Sequence, residues 1–202
     1  MKNKGLLIGC GTGVVVLLIV LGFVMWGVGV YNNLVGLDEG VKQSWSQVEN
    51  QYQRRIDLIP NLVSTVKGVA NFEKETYTAV TEARAKAGQT KIDASQLTDP
   101  VAFQKFQAAQ DQLSGALSRL MVTVEAYPQL KANENFLQLQ SQLEGTENRI
   151  AVERMKFNQV VQVFNTTIKR FPASLIAGFT GFSEKQYFAA VAGSDQAPKV
   201  EF

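Results

Sequence analysis

The chain has 202 residues, 46% of them hydrophobic and 19% charged, so it can hold one membrane segment and one domain with a substantial core. It contains no histidine and a single cysteine, which removes the commonest general base, the commonest metal ligand and any internal disulfide. Its net charge of +2 comes from mixed signs without a basic tract, so nucleic acid is excluded as an expected partner.

The first element is an apolar run over residues 5–30 that carries no charged side chain. A membrane-spanning helix needs about 20 such residues, and a cleavable signal peptide would turn polar after a shorter apolar region. We therefore predict an uncleaved anchor in the lipid bilayer, occupying residues 1–30 with the N-terminal flank. Residues 7–10 resemble a lipoprotein cleavage box, but the apolar region before Cys10 is too short, so lipidation is the minor alternative.

The charges that flank the anchor predict its orientation. Lys2 and Lys4 precede it, whereas Asp38 and Glu39 outweigh Lys42 after it. By the positive-inside rule the N-terminus is cytoplasmic and the main domain lies outside.

Three glycines in the anchor recur every four residues. Gly5, Gly9 and Gly13 line one face of the predicted helix and would let a second helix approach closely, so they are candidates for homo-oligomer contacts in the membrane. Glycine is also common in membrane helices generally, which leaves the two interpretations balanced.

Beyond Tyr31, apolar residues recur at helical spacing and no segment shows the sustained alternation of a strand, which predicts an all-α domain. The helices are expected at residues 31–69, 72–87, 100–127 and 133–171. Because their connections are short, we predict an antiparallel up-and-down four-helix bundle over residues 31–171.

Particular residues set the predicted helix ends. Pro60 is expected to kink the first helix without ending it, and Gly88 to end the second. Asp99 and Pro100 form an N-cap and first-turn pair for the third helix. Pro172 is expected to stop the fourth.

A charged residue interrupts the apolar stripe of the first helix. One column at a spacing of seven contains Leu34, Val41, Val48, Arg55, Leu62 and Val69. Arg54 and Asp57 fall outside the apolar columns and are interpreted as a solvated flank. In an antiparallel bundle the polar middle of the fourth helix faces Arg55, which predicts an ion pair with Glu147 or Glu153. We interpret this pair as a register device and not as a catalytic one.

Glu144, Glu147 and Glu153 suggest a di-metal bundle site, but such sites also use Glu-x-x-His and the chain has no histidine. We therefore predict neither a metal nor another cofactor.

The stretch at residues 172–202 is apolar and punctuated by glycine. We expect Leu175, Ile176, Phe179 and Phe182 to pack on the end of the bundle. The alternative is an exposed apolar patch that marks a partner or a membrane site.

Nearly the whole chain resembles the LemA family. The matching stretches are YNNLVGLDEGVKQSWSQVENQYQRRIDLIPNLVSTVKG, VTEARAKA, ENRIAVERMKFNQVVQVFNTTIKRFP and the final phenylalanine of APKVEF. The resemblance implies a bacterial protein with an N-terminal membrane helix, a helical bundle and no known enzymatic activity.

The predicted function is therefore that of a non-enzymatic scaffold or organiser in the bacterial inner membrane, acting through copies of itself or an envelope protein partner. A ligand-sensing or adaptor domain that regulates a membrane partner is the alternative. An enzyme using unrecognised carboxylates ranks third.

Overall fold

The computed structural model describes residues 3–69 and 72–189, and of residues 3–12 and 14 it describes the backbone alone. These residues form α1 (Asn3–Lys67), α2 (Lys74–Gln89), α3 (Pro100–Val124), α4 (Pro128–Lys131), α5 (Glu134–Lys169), α6 (Ala173–Thr180) and a 3-10 helix at Ala94–Thr98. The described residues contain no strand, which confirms the all-α class.

The first two helices end close to the predicted positions. α1 continues through the exposed Pro60 and ends at Lys67, so the proline does not stop it. α2 continues past Gly88 to Gln89, because the amide and the hydroxyl of Thr90 both donate to the carbonyl of Lys86 and close the last turn there.

Helices α3 and α5 begin at side-chain caps. The Asp99 carboxylate accepts hydrogen bonds from the amides of Val101 and Ala102, at 2.8 and 3.1 Å, with Pro100 in the first turn of α3 as predicted. At the start of α5, Asn133 Oδ1 accepts the amide of Phe136 at 3.0 Å.

The chain divides into two compact units. The N-terminal unit comprises residues 1–40 and 162–184, and the bundle unit comprises residues 41–161 and 185–202.

Contacts within the bundle unit give the directions of the helices around α1. They are Trp45–Phe157 and Arg55–Glu147 with α5, Tyr52–Phe106 and Arg55–Ser114 with α3, and Ile56–Arg84 and Lys67–Tyr77 with α2. α2 and α5 therefore run antiparallel to α1, and α3 runs parallel to it. This is the predicted up-and-down four-helix bundle.

The core of the bundle unit contains an aromatic cluster around Trp45, which is 1% exposed. Its ring lies 5.4 Å from those of Phe106 and Phe157 and 6.0 Å from that of Phe188, which follows α6 in the chain. Burial of each such side chain stabilises the fold by about 1.5–3 kcal/mol. The predicted apolar column of the first helix thus forms part of the packing surface of α1.

The N-terminal unit carries an apolar helix whose side chains are exposed. The most apolar window of α1 has a mean hydropathy of 2.2 and no buried residue, and it is long enough to cross a membrane. This segment makes the chain membrane-associated. Further along, Leu34 is fully buried and the ring of Tyr31 lies 6.1 Å from that of Phe182.

Helix α6, also in the N-terminal unit, differs from the packing expected for it. Its buried residues are Ala173 and Ala177, whereas Leu175 and Phe179 are 56% and 91% exposed. The alanine face points inward because small side chains allow close approach, and the larger residues occupy the opposite side. Ile176 packs over α1, with its Cδ1 4.0 Å from the position of a Cβ built on Gly27.

Candidate functional site

The most distinctive polar feature of the bundle unit is the side chain of Arg55, which is 1% exposed. Its neighbours in the same column of α1, Val48 and Leu62, are buried at 0% and 2% exposure. The helical spacing that directs these two residues into the core directs the guanidinium there as well. A buried charge of this kind requires partners.

The partners of Arg55 come from two other helices. Nη1 donates to Ser114 Oγ at 2.7 Å and to both carboxylate oxygens of Glu147, at 2.8 and 3.1 Å. Nη2 donates to Gln110 Oε1 at 2.5 Å and to the Gln110 carbonyl at 3.4 Å. The planar fork of the guanidinium therefore joins α1 to α3 and α5 in one layer.

Tyr52 completes this Arg55 cluster, which consists of Tyr52, Arg55, Gln110, Ser114 and Glu147. The guanidinium carbon of Arg55 lies 5.1 Å from the centre of the Tyr52 ring, a cation–π distance. Burial raises the pKa of the Tyr52 phenol above its usual 10.0, although the charges of Arg154 and Arg55 oppose the shift. The Tyr52 hydroxyl makes no hydrogen bond within the described residues.

Of the two carboxylates predicted as partners of Arg55, the structure pairs only one with it. Glu147 forms the ion pair and is 37% exposed, so one side of the pair reaches solvent. Glu153 binds Lys156 instead, at 2.7 Å. Arg54 and Asp57 are exposed on the outer side of α1, where Asp57 accepts a hydrogen bond from Gln53.

The glycines proposed for association lie in the first turns of α1. Gly13 is exposed, and a Cβ built on it meets no atom within 4 Å. Gly5 and Gly9 are helical, but their surroundings fall outside the described side chains. The same holds for Cys10, and Phe202 lies outside the described residues altogether.

Two members of the cluster were not assigned from the sequence. Gln110 interrupts the apolar stripe of α3, and that interruption was a usable signal because a polar residue in a core column needs a partner. Ser114 lies beside the stripe and gave no such signal.

A second set of polar contacts, also missed from the sequence, holds Phe188 in the bundle unit. The Asn158 amide group donates to the Phe188 carbonyl at 3.0 Å and accepts its N–H at 2.9 Å. The Arg154 guanidinium carbon lies 4.6 Å from the Phe188 ring. These contacts hold a segment without regular secondary structure, whose sequence gave no helical or strand pattern.

The chemistry available at the Arg55 cluster is limited. Its two charged groups, Arg55 and Glu147, pair with each other at 2.8 Å. Among residues 3–69 and 72–189, no group of three or more histidine, cysteine, aspartate or glutamate side chains could hold a metal ion.

An open groove of about 650 Å³ runs between α2 and α3 in the bundle unit. Charged side chains of both signs line it, among them Glu73, Glu82, Lys86 and Arg119.

Comparison with known proteins shows which sequences this chain resembles. The model of the LemA family matches residues 44–202. The chain is 28% identical over 174 residues to magnetosome protein MamQ of Magnetospirillum gryphiswaldense, covering 78% of this chain and 64% of that protein. It is 27% identical over 150 residues to protein LemA of Metamycoplasma hominis, covering 74% of this chain and 64% of that protein. The chain thus spans about two thirds of the length of these relatives.

Proposed function

Because the chain belongs to the LemA family, we propose that it is a membrane-anchored, non-enzymatic protein of the bacterial envelope whose bundle acts as a self-associating scaffold or organiser. The names of its relatives refer to magnetosomes or to the family and to no reaction. In this proposal residues 1–30 form the cytoplasmic N-terminus and anchor in the inner membrane, residues 31–171 the extracytoplasmic bundle, and residues 172–202 an extension that packs on the bundle or a partner.

The observation that carries the proposal is the contrast between the polar and apolar groups of the chain. In the bundle unit the buried guanidinium of Arg55 donates hydrogen bonds to Ser114, Gln110 and Glu147. These bonds link three helices, which is a structural role. In the N-terminal unit the apolar side chains of α1 are exposed, as they would be for contact with lipid or another copy.

The glycine face supports self-association in the membrane. A Cβ built on Gly13 meets no described atom within 4 Å. A leucine at this position would therefore disturb a contact between copies and leave the fold of each copy unchanged.

The test is the molar mass of the full-length protein in detergent, measured by size-exclusion chromatography with light scattering. We expect an oligomer for the unmodified chain and a shift towards monomer for Gly13→Leu. The matched control is Gly29→Leu, which also meets nothing within 4 Å but lies about 160° around the helix from Gly13. An unmodified chain that runs as a clean monomer would overturn the scaffold proposal.

The charged groove between α2 and α3 favours a second candidate, a ligand-sensing or adaptor domain that regulates a membrane partner. This candidate predicts a monomer with a defined client. Reversal of charge in the groove, by Arg119→Glu, would then abolish capture of the client while the Gly13→Leu variant still captured it.

A further inference from the structure

Helix α6 presents an apolar surface that no described residue covers. Leu175 and Phe179 lie one turn apart on one face of α6 and expose 56% and 91% of their surface. Phe171, just before the helix, exposes 81%. Soluble proteins rarely expose large contiguous apolar patches, and such patches mark sites of contact with a partner or a membrane.

The α6 surface is continuous with the apolar surface of α1 inside the N-terminal unit. A groove of about 690 Å³ joins them, lined by Ile19, Gly22, Phe23 and Trp26 of α1 and by Phe171, Pro172 and Leu175. The α1 residues belong to the apolar segment that the proposed function takes as the membrane anchor. Residues that share a groove with this segment are therefore placed at the depth of the bilayer.

We propose that α6 is a second membrane element, a short helix that lies in the interface of the bilayer beside α1 with Phe171, Leu175 and Phe179 inserted among the lipid acyl chains. The occupant of the groove is lipid. The α1 side of the groove extends from Ile19 to Trp26, about 10 Å along the helix at 1.5 Å per residue. This length is similar to the depth of about 5–10 Å to which amphipathic helices bury their apolar face in the interface.

The backbone of α6 is suited to an environment that contains little water. At its start, the amide of Ser174 donates to the Arg170 carbonyl at 2.8 Å. At its end, Gly181 adopts a left-handed conformation, with φ of 80°, and its amide and that of Phe182 both donate to the Ala177 carbonyl. Polar groups that would be costly in a bilayer are thereby satisfied internally.

The side chains of α6 follow the same rule. The Thr180 hydroxyl donates to the Ile176 carbonyl at 2.7 Å. Residues 171–183 carry no charge, and the charged side chains begin immediately outside them, at Arg170 and Glu184. Lys169 pairs with Glu184 at 2.8 Å, across the two ends of this stretch. Long basic side chains at such positions keep their charge at the headgroup level.

The experiment uses the full-length chain in lipid vesicles with an environment-sensitive fluorophore on one cysteine. In a Cys10→Ala background, Phe179→Cys places the probe on α6. Val20→Cys, at a residue 54% exposed in the anchor, is the lipid-exposed control, and Val122→Cys, at a residue 72% exposed on α3, is the control for a residue exposed to water.

The quenching pattern decides the inference. We expect lipids that carry a quencher on the acyl chain to quench position 179 several-fold more than position 122, and aqueous iodide to show the reverse order. Iodide quenching at 179 equal to that at 122 would overturn the inference, and so would shielding of 179 from both quenchers, since that pattern means that protein covers α6.

The Val20→Cys control separates this inference from the proposed function, because the inference rests on the anchor and not on self-association. Lipid quenching at 20 without lipid quenching at 179 leaves the anchor in place and rejects the interfacial α6. The absence of lipid quenching at 20 rejects both the anchor and the interfacial helix.

Discussion

Helix α1 carries similar apolar residues in two different surroundings. In the N-terminal unit Val16 and Phe23 are 59% and 69% exposed, and their neighbours on every side are apolar. In the bundle unit Val41 and Val48 are 0% exposed, and the residues between them are largely polar. A helix that is apolar all round is suited to lipid, whereas an apolar stripe is suited to other helices.

The polar residues of the two units differ in the same way. The apolar segment of α1 carries no charge, as expected of a helix suited to lipid. The bundle stripe carries Arg55, because α3 and α5 supply its hydrogen bonds. Helix α1 thus carries a buried charge only where neighbouring helices supply hydrogen-bond partners for it.

The largest expected effect on stability comes from comparing one phenylalanine substitution in the bundle unit with one in the N-terminal unit. Phe157 is 0% exposed in the core of the bundle unit, whereas Phe179 is 91% exposed on α6. We expect Phe157→Ala to lower the free energy of unfolding by about 3–5 kcal/mol through lost burial and a cavity. For a chain of this size the melting temperature should fall by about 10 °C, measured by circular dichroism of the full-length protein in detergent.

Phe179→Ala is the matched control and should change the free energy of unfolding by no more than about 0.5 kcal/mol. Equal destabilisation by the two substitutions would contradict the contrast between a packed bundle and an uncovered α6.

A smaller effect is expected for Arg55. Removal of one partner from a buried pair costs about 3–5 kcal/mol, but Glu147 is 37% exposed and can regain water. We therefore expect Arg55→Ala to cost about 2–3 kcal/mol, measured by chemical unfolding. Arg54→Ala, at the exposed neighbouring position, is the control and should cost less than about 0.5 kcal/mol.

The register hypothesis for Arg55 makes a separate prediction. Replacement of both partners, in Arg55→Met with Glu147→Met, should restore most of the lost stability, because no unpaired charge is left in the core. If the pair also fixes register, amide hydrogen exchange in α5 should remain faster than in the unmodified chain. If the double variant recovers both the stability and the slow hydrogen exchange in α5, the pair has no role in fixing register.

The sequence was sufficient for the helices and for the layer at which Arg55 lies, since both follow from periodicity within one element. The Asp99 cap predicted the start of α3, and the apolar column of the first helix predicted the packing face of α1. The sequence did not show whether Glu147 or Glu153 pairs with Arg55. The answer depends on the rotation of α5 about its axis relative to α1, which the spacing of residues within one helix does not determine.

Two further features could not be obtained from the sequence for related reasons. Phe188 lies in a segment without periodicity, so its place beside Trp45 depends on tertiary contacts such as those of Asn158. In α6 both faces contain apolar residues, so composition alone could not show that Ala173 and Ala177 face inward while Phe179 is uncovered.

The smallest effect concerns Tyr52 and appears only at alkaline pH. Burial raises the pKa of its phenol in the folded chain above the usual value of 10.0. Below about pH 10 the phenol is protonated in both the folded and the unfolded chain, so it does not make the free energy of unfolding depend on pH. As the pH rises above this value, the unfolded chain releases the proton first, which favours unfolding. The stability that the protonated phenol contributes is therefore lost as pH rises through the folded pKa.

Tyr52→Phe removes the titrating group, and below pH 10 it should cost little, because the hydroxyl makes no hydrogen bond within the described residues. We expect the difference in unfolding free energy between the two chains to be constant up to about pH 9. By pH 11 it should shift in favour of Tyr52→Phe by on the order of 1 kcal/mol. Other titrating groups are common to both chains and cancel in this difference, so a constant difference across the range would mean that Tyr52 is not buried as a neutral phenol.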